Sequence, residues 1–168
     1  IVTCTFNRPD LLRRAVLSLR EQADQDWEHL IYDDRSTDPR VEEALAWASE
    51  DPRVRVWVGE RNIDRPSMGW NFLLDQARGR YLATMDDDNE KLPSFVEVMS
   101  GVLDREPAVG LVTCGFIVRT AGQPDWEHRH NLNTKAEVTE LVSTCEGGAM
   151  LYRREAFQLV GYYSEYLR

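Results

Sequence analysis

The stretch RYLATMDDDNEKLP (residues 80–93) runs from a β-rich apolar segment straight into three consecutive aspartates. Two like charges about 4 Å apart repel by roughly 4 kcal/mol at an effective dielectric near 20. A strand end that is partly desolvated does not screen that cost fully, and a divalent cation removes it. An acidic turn after a strand is also an ordinary solvated feature. What separates the two readings is where the strand end lies in the fold.

Working outward, apolar β-type runs alternate with helical spacing. IVTCTF (1–6) reads as a strand, followed by a helix over RPDLLRRAVLSLREQ with Leu12, Ala15, Val16 and Leu19 on one face. EHLIYDD (28–34) reads as a second strand ending in acid. STD (36–38) is a capping signal before a helix with Val41, Ala44, Leu45 and Ala48 on one face. RVRVWVG (53–59) alternates as a third strand. PSMGWNFLLDQARG (66–79) reads as a helix closed by Gly79 as its C′ residue, and RYLATM (80–85) as the fourth strand. LPSFVEVMSGVLDRE (92–106) reads as a helix and VGLVTCGFIVRT (109–120) as one long strand. Residues 121–135 are polar and turn-rich. GGAMLYRREAFQLVGYY (147–163) reads as strand, short helix and a turn at Gly161. This alternation predicts an α/β fold with a mainly parallel sheet flanked by helices. Ligands in such sheets bind beyond the carboxyl ends of the strands, where Asp33-Asp34 and Asp86-Asp87-Asp88 both fall.

At 168 residues the chain is one domain. Its first residue stands inside a strand and its last, Arg168, carries no stop signal, so it reads as a domain trimmed at both ends. The net charge of -9 argues against a nucleic-acid partner, which calls for a basic stripe. Three cysteines without a CxxC pair (Cys4, Cys114, Cys145) suggest reduced thiols and a cytoplasmic setting. No stretch approaches the roughly 20 apolar residues of a membrane span. There is no GxxxxGK[ST], no GxGxxG behind a strand and no GxSxG elbow. His128 and His130 flank Arg129 without zinc-ligand spacing. All-oxygen ligands select Mg²⁺ or Mn²⁺. Magnesium takes only one or two protein carboxylates and completes its shell with water and substrate phosphates, so the triplet implies a phosphate-bearing partner.

Four stretches in order then resemble the inverting GT-A glycosyltransferases of family 2. They are TCTFNRPDLLRRAVLSL (3–19), LIYDDRSTD (30–38), ARGRYLATMDDDNEKLP (77–93) and GGAMLYRREAFQLVGYY (147–163). The DDDN form is similar to the SpsA-like members. The resemblance implies a GT-A (Rossmann-like) domain over residues 1–168. Residues 1–89 would be its nucleotide-binding half and 90–168 the start of the acceptor-side half. It implies transfer of a sugar from a UDP- or dTDP-linked donor to a hydroxyl acceptor (glycan, lipid or small molecule), with inversion and with Mn²⁺ or Mg²⁺. By the same resemblance Phe6 packs on the base with Cys4 and Thr5 near it, and Asp34 accepts from the ring N–H. Asp88 is the metal ligand, and Asp86 serves the metal or the ribose, while Asp87 points elsewhere. Gly147 and Gly148 lie at the sugar or acceptor. The family's Arg-Asn pair is here Trp70-Asn71, which leaves Arg65 as the candidate cation. The general base is expected beyond Arg168, and QPDWEHRHN (123–131) is a candidate for acceptor contact. A sugar nucleotidyltransferase and an inactive nucleotide-sugar-binding module remain alternatives on sequence grounds.

Overall fold

The computed structural model describes residues 1–128, 147–161, 163 and 164. Strands β1 (Val2–Thr5), β2 (His29–Asp33) and β3 (Val54–Val58) pair in parallel in the order β1-β2-β3, with Val2 opposite Leu30 and Ile31 opposite Val56. The connections run through α1 (Pro9–Arg20) and α2 (Pro39–Ala48). A helix α3 (Pro66–Gln76) leads to β4 (Tyr81–Leu82). Beyond β4 the chain joins β1: Val2 N donates to the Ala83 carbonyl at 2.9 Å and Met85 N to the Val2 carbonyl at 2.9 Å. The sheet continues through β8 (Met150–Arg153), which runs antiparallel between β4 and β5 (Leu111–Thr113). The mainly parallel α/β architecture expected from the alternation is thus present, with β8 as the antiparallel strand of this sheet among the described residues.

The core lies on both faces. Leu12, Ala15, Val16 and Leu19 of α1 meet Val41, Ala44, Leu45 and Ala48 of α2 over Ile31 and Val54. Leu73 and Leu74 of α3 cover Val2, Leu30 and Leu82 on the other face. Alternate residues of β1 and β2 therefore feed opposite layers, as a strand's period of two requires. Burying each of these leucines contributes about 1.5–3 kcal/mol. On the far half of the sheet, α4 (Phe95–Arg105) packs Phe95, Met99 and Leu103 on Ala83 and Leu151. The last helix, α5 (Arg154–Val160), closes at Gly161 with φ 93°, the expected turn.

Two local expectations are corrected. Gly79 is not a left-handed helix cap. The helix ends at Gln76, Ala77 turns extended, and the buried-side carboxylate of Glu28 takes the amides of Arg78 and Gly79. Residues 109–120 are also not one strand. Cys114 N donates to the Ala149 carbonyl at 2.9 Å and ends β5. The chain then starts β6 (Phe116–Val118), which forms a separate hairpin with β7 (Trp126–His128). Cys4 and Cys114 are free thiols, and Cys145 lies outside the described residues.

Candidate active site

The carboxyl ends of β1, β2 and the β4 extension open onto one cavity of about 360 Å³. Cys4, Thr5 and Phe6 enter it from β1, Asp34 from β2, and Asp86 and Asp88 from the turn after Met85. The start of α3 supplies the opposite wall, with Arg65 and Trp70. Seven residues singled out in the sequence (Cys4, Thr5, Phe6, Asp34, Arg65, Asp86, Asp88) are therefore together. Gly147 and Gly148 are not part of its lining.

The LIYDDRSTD stretch divides into separate tasks. Asp33 is buried and accepts from Ser36 N at 3.1 Å and Ser36 Oγ at 2.5 Å, which folds the loop back on β2. Asn7, at φ 55°, reaches that loop from β1 and accepts from Thr37 N at 2.8 Å and Asp38 N at 3.0 Å. Asp38 caps α2 by accepting from Arg40 N at 3.0 Å. Asp34 accepts from Ile63 N at 2.9 Å and Asp64 N at 2.8 Å, so its carboxylate pins the 62–64 loop at the cavity rim. An ionised carboxylate offers about four acceptor sites, so these amides leave capacity for a ligand N–H.

The three aspartates differ from one another. Asp87 is buried; its Oδ2 accepts from Thr5 Oγ1 at 2.7 Å and its Oδ1 from Arg8 Nη1 at 3.1 Å. Burial raises the Asp87 pKa above the ordinary carboxylate range, against the opposing pull of Thr5 and Arg8. Asp88 is half exposed and accepts from the same Arg8 Nη1 at 3.3 Å. Asp86 accepts from Asn89 Nδ2 at 3.3 Å. The crowding that seemed to demand a metal is thus already offset in part by Arg8, a residue sequence reasoning passed over. Its signal was available: a cation in FNRP, between the first strand and its helix, faces the same sheet edge as the triplet. Burial raises the Cys4 thiol pKa far above its usual value, as do the carboxylates of Asp34, Asp86 and Asp87, so it is a packed wall group and not a nucleophile.

Asn71 anchors the chain after Gly161: its Nδ2 donates to the Tyr163 carbonyl at 2.8 Å and its Oδ1 accepts from Tyr163 N at 3.0 Å. Trp70 packs its ring against Tyr163 at 5.5 Å and also borders the cavity. Gly148 approaches the triplet from the 3-10 turn (Gly147–Ala149) that precedes β8: a Cβ there would stand 2.8 Å from Asn89 Nδ2, and the Lys91 amine donates to the Gly148 carbonyl. In the 123–131 segment, Trp126 is exposed and edges onto Phe116 at 6.1 Å; residues 129–131 lie outside the described residues.

No three His, Cys, Asp or Glu side chains converge among the described residues into a protein-only metal cage. Asp86 and Asp88 instead offer hard oxygen donors at an open cavity, a set that fits a divalent cation sharing its shell with a diphosphate.

An open, mainly parallel sheet whose carboxyl edge carries an acid-rimmed cavity is the arrangement of an α/β ligand-binding domain, and its likeness to solved structures identifies it as a GT-A fold. Residues 1–161 match the family described as Glycosyl transferase family 2, and the chain belongs to that family. It is 32% identical over 99 residues to the GalNAc(5)-diNAcBac-PP-undecaprenol beta-1,3-glucosyltransferase of Campylobacter jejuni, covering 59% of this chain and 32% of that protein. The S. aureus TarS structure (residues 1–349) in complex with UDP superposes with a TM-score of 0.77 at 17% identity, covering 98% of this chain and 49% of that one. The mannosyltransferase PcManGT of Pyrobaculum calidifontis, in complex with GDP-Man and Mn²⁺, gives 0.72 at 16% identity, covering 99% and 47%. These two likenesses establish the fold. The chain spans between 11% and 42% of the length of the curated relatives it matches. Among the described residues no helix is long and apolar enough to cross a membrane.

Proposed function

We propose that this domain transfers a sugar from a UDP- or dTDP-linked donor to an acceptor hydroxyl with inversion, using Mn²⁺ or Mg²⁺. The observation that carries the reading is the meeting of Phe6, Asp34, Asp86 and Asp88 around one cavity of about 360 Å³ at the sheet's carboxyl edge. TarS bound to UDP and PcManGT bound to GDP-Man and Mn²⁺ support a nucleotide and a divalent cation in such a fold.

In this reading residues 1–89 hold the nucleotide and residues 90–168 begin the acceptor side. Phe6, an exposed ring on the cavity wall, stacks on the base. Asp34 accepts from the N3–H of uracil or thymine. Arg65 is placed to meet the donor's negative charge, and Cys4 and Thr5 shape the floor. Asp88, with Asp86, would hold the cation that serves the donor's diphosphate. Once bound, the cation neutralises charge developing on the leaving diphosphate. Gly147 and Gly148 belong to the turn on the sugar or acceptor side. The acceptor hydroxyl attacks the anomeric carbon as the bond to the diphosphate breaks, and its proton goes to a carboxylate base. A single displacement inverts the centre.

Titration of UDP into the intact protein, with and without Mn²⁺, tests this. Affinity should rise with Mn²⁺, and Asp88→Ala should abolish the rise. Because Asp88 is half exposed, its melting temperature should stay within about 2 °C of the native value. Equal UDP affinity with and without Mn²⁺ in the native protein would overturn the assignment.

A further inference from the structure

We infer that Arg8 is a built-in counter-ion for Asp88 that competes with a divalent cation there, so that metal binding stays weak until a diphosphate arrives. The inference rests on the donor reading above and adds a residue and an order of events to it.

The geometry is a bridge with unlike ends. Arg8 Nη1 lies 3.1 Å from Asp87 Oδ1 and 3.3 Å from Asp88 Oδ2. The Asp87 side chain is 5% exposed, and its second oxygen is engaged by Thr5 Oγ1 at 2.7 Å. That end is fixed, since turning Asp87 outward would cost both contacts and leave Thr5 Oγ1 without this acceptor. The Asp88 side chain is 49% exposed, and Arg8 itself is 52% exposed on the cavity wall. That end is exchangeable. A guanidinium does not give up its proton in proteins, so Arg8 releases Asp88 only by moving.

Two consequences follow from the charges. In the free protein a divalent cation shares Asp88 with Arg8 and sits close to a positive guanidinium, so its affinity is held down. A diphosphate reverses this, because its oxygens offer Arg8 a replacement partner of matching geometry while Asp87 keeps the base of the side chain's reach. Nucleotide and metal then favour each other, and the coupling is reciprocal. Arg8 acts as a positioning residue: it governs when Asp88 is available.

Mn²⁺ binding to the intact protein, followed by the electron paramagnetic resonance signal of free Mn²⁺, tests this without an activity assay. The native protein should bind Mn²⁺ weakly alone and more tightly with UDP. Arg8→Gln should tighten Mn²⁺ binding without nucleotide by about tenfold, and the gain caused by UDP should shrink by a similar factor. Arg8→Gln leaves Asp87 buried without its cation. The double variant Arg8→Gln/Asp87→Asn removes that charge as well and, because it also takes a negative charge from the cavity, should show a smaller tightening of the same sign if the single variant fails to fold. Unchanged or weaker Mn²⁺ binding without UDP, in a variant with a native circular dichroism spectrum, overturns the inference and leaves the donor reading standing. No Mn²⁺ binding by the native protein even with UDP overturns both.

Discussion

Asp86, Asp87 and Asp88 are adjacent in sequence and have three different electrostatic settings. Asp87 faces inward to Thr5 and Arg8, Asp88 faces the cavity, and Asp86 is steadied by Asn89. The last contact ties Gly148 to Asp86, one of the two proposed metal ligands, although it does not line the cavity. A methyl group there would come within 2.8 Å of Asn89 Nδ2. The amide is the far end of a flexible side chain, so it can yield, but only by leaving Asp86. Gly148→Ala should therefore keep a native melt and weaken Mn²⁺ binding in the presence of UDP by about tenfold, as loss of a supporting hydrogen bond to a ligand does. Parallel titrations of the two proteins measure it, and equal Mn²⁺ affinities would detach the Gly-Gly turn from the triplet. At this scale the sequence was informative where spacing carries the chemistry. Asp86 and Asp88 stand two apart at a strand end, and Asp34 closes a strand at the same edge. It was weaker where the partner is remote: the cation in FNRP could be placed at the triplet's sheet edge, but its pairing with Asp87 across 79 positions could not be read locally.

Helix α3 is the element that shapes the cavity, and its seat is set by one close approach. A Cβ on Gly69 would stand 2.5 Å from Cys4 Sγ and 3.0 Å from Tyr32 Cδ1, in contact with both β1 and β2. Gly69→Ala should push α3 off the sheet and cost about 1–3 kcal/mol, the usual range for overpacking. Since Cys4 Sγ is the nearest obstacle, Cys4→Ala should restore part of that loss, and the double variant should melt above Gly69→Ala alone. A double variant no more stable than the single one would show that Tyr32, not Cys4, fixes the helix. Elements such as α1 and α2 were legible because their apolar faces repeat at helical spacing and end at a proline start or an aspartate cap. The division of 109–120 was not legible. Its apolar residues suit a strand throughout, and the break at Cys114 is imposed by pairing with Ala149 on one side and with β7 on the other. The same holds for Gly79, whose own amide and that of Arg78 are taken by Glu28 from another part of the chain.

For the molecule as a whole, stability in acid should be governed by the centre of the sheet. His29 of β2 is fully buried, with Nε2 2.9 Å from Thr3 Oγ1. Its Nδ1 has no hydrogen-bond partner among the described residues. Burial lowers its pKa to about 3 from 6.5. The folded protein therefore holds His29 neutral while the unfolded chain protonates it. This stability is fully present above pH 6.5 and is lost as the pH falls from 6.5 toward 3. Between pH 7 and pH 5 the loss should be about 2 kcal/mol, or about 4–8 °C in melting temperature for a domain of this size. Asp51 is lowered to about 2 by its hydrogen bond to Arg53, so its contribution is lost only below pH 3.8. Asp87 works the other way. Burial raises its pKa, so protonation in acid relieves the fold there rather than weakening it. Neither carboxylate accounts for stability lost between pH 7 and pH 5, whereas His29 does, together with the buried amino group of Ile1, which burial lowers to about 6 from 8.0. His29→Gln can keep a hydrogen bond to Thr3 without a titrating group, and it should melt with a clearly smaller pH dependence across that interval than the native protein. Equal slopes in the two proteins would assign the acid sensitivity elsewhere. The same variant separates fold from site: if native UDP binding fades at pH 5 because the sheet loosens, His29→Gln should retain it, whereas loss in both proteins would place the cause in the carboxylates at the cavity.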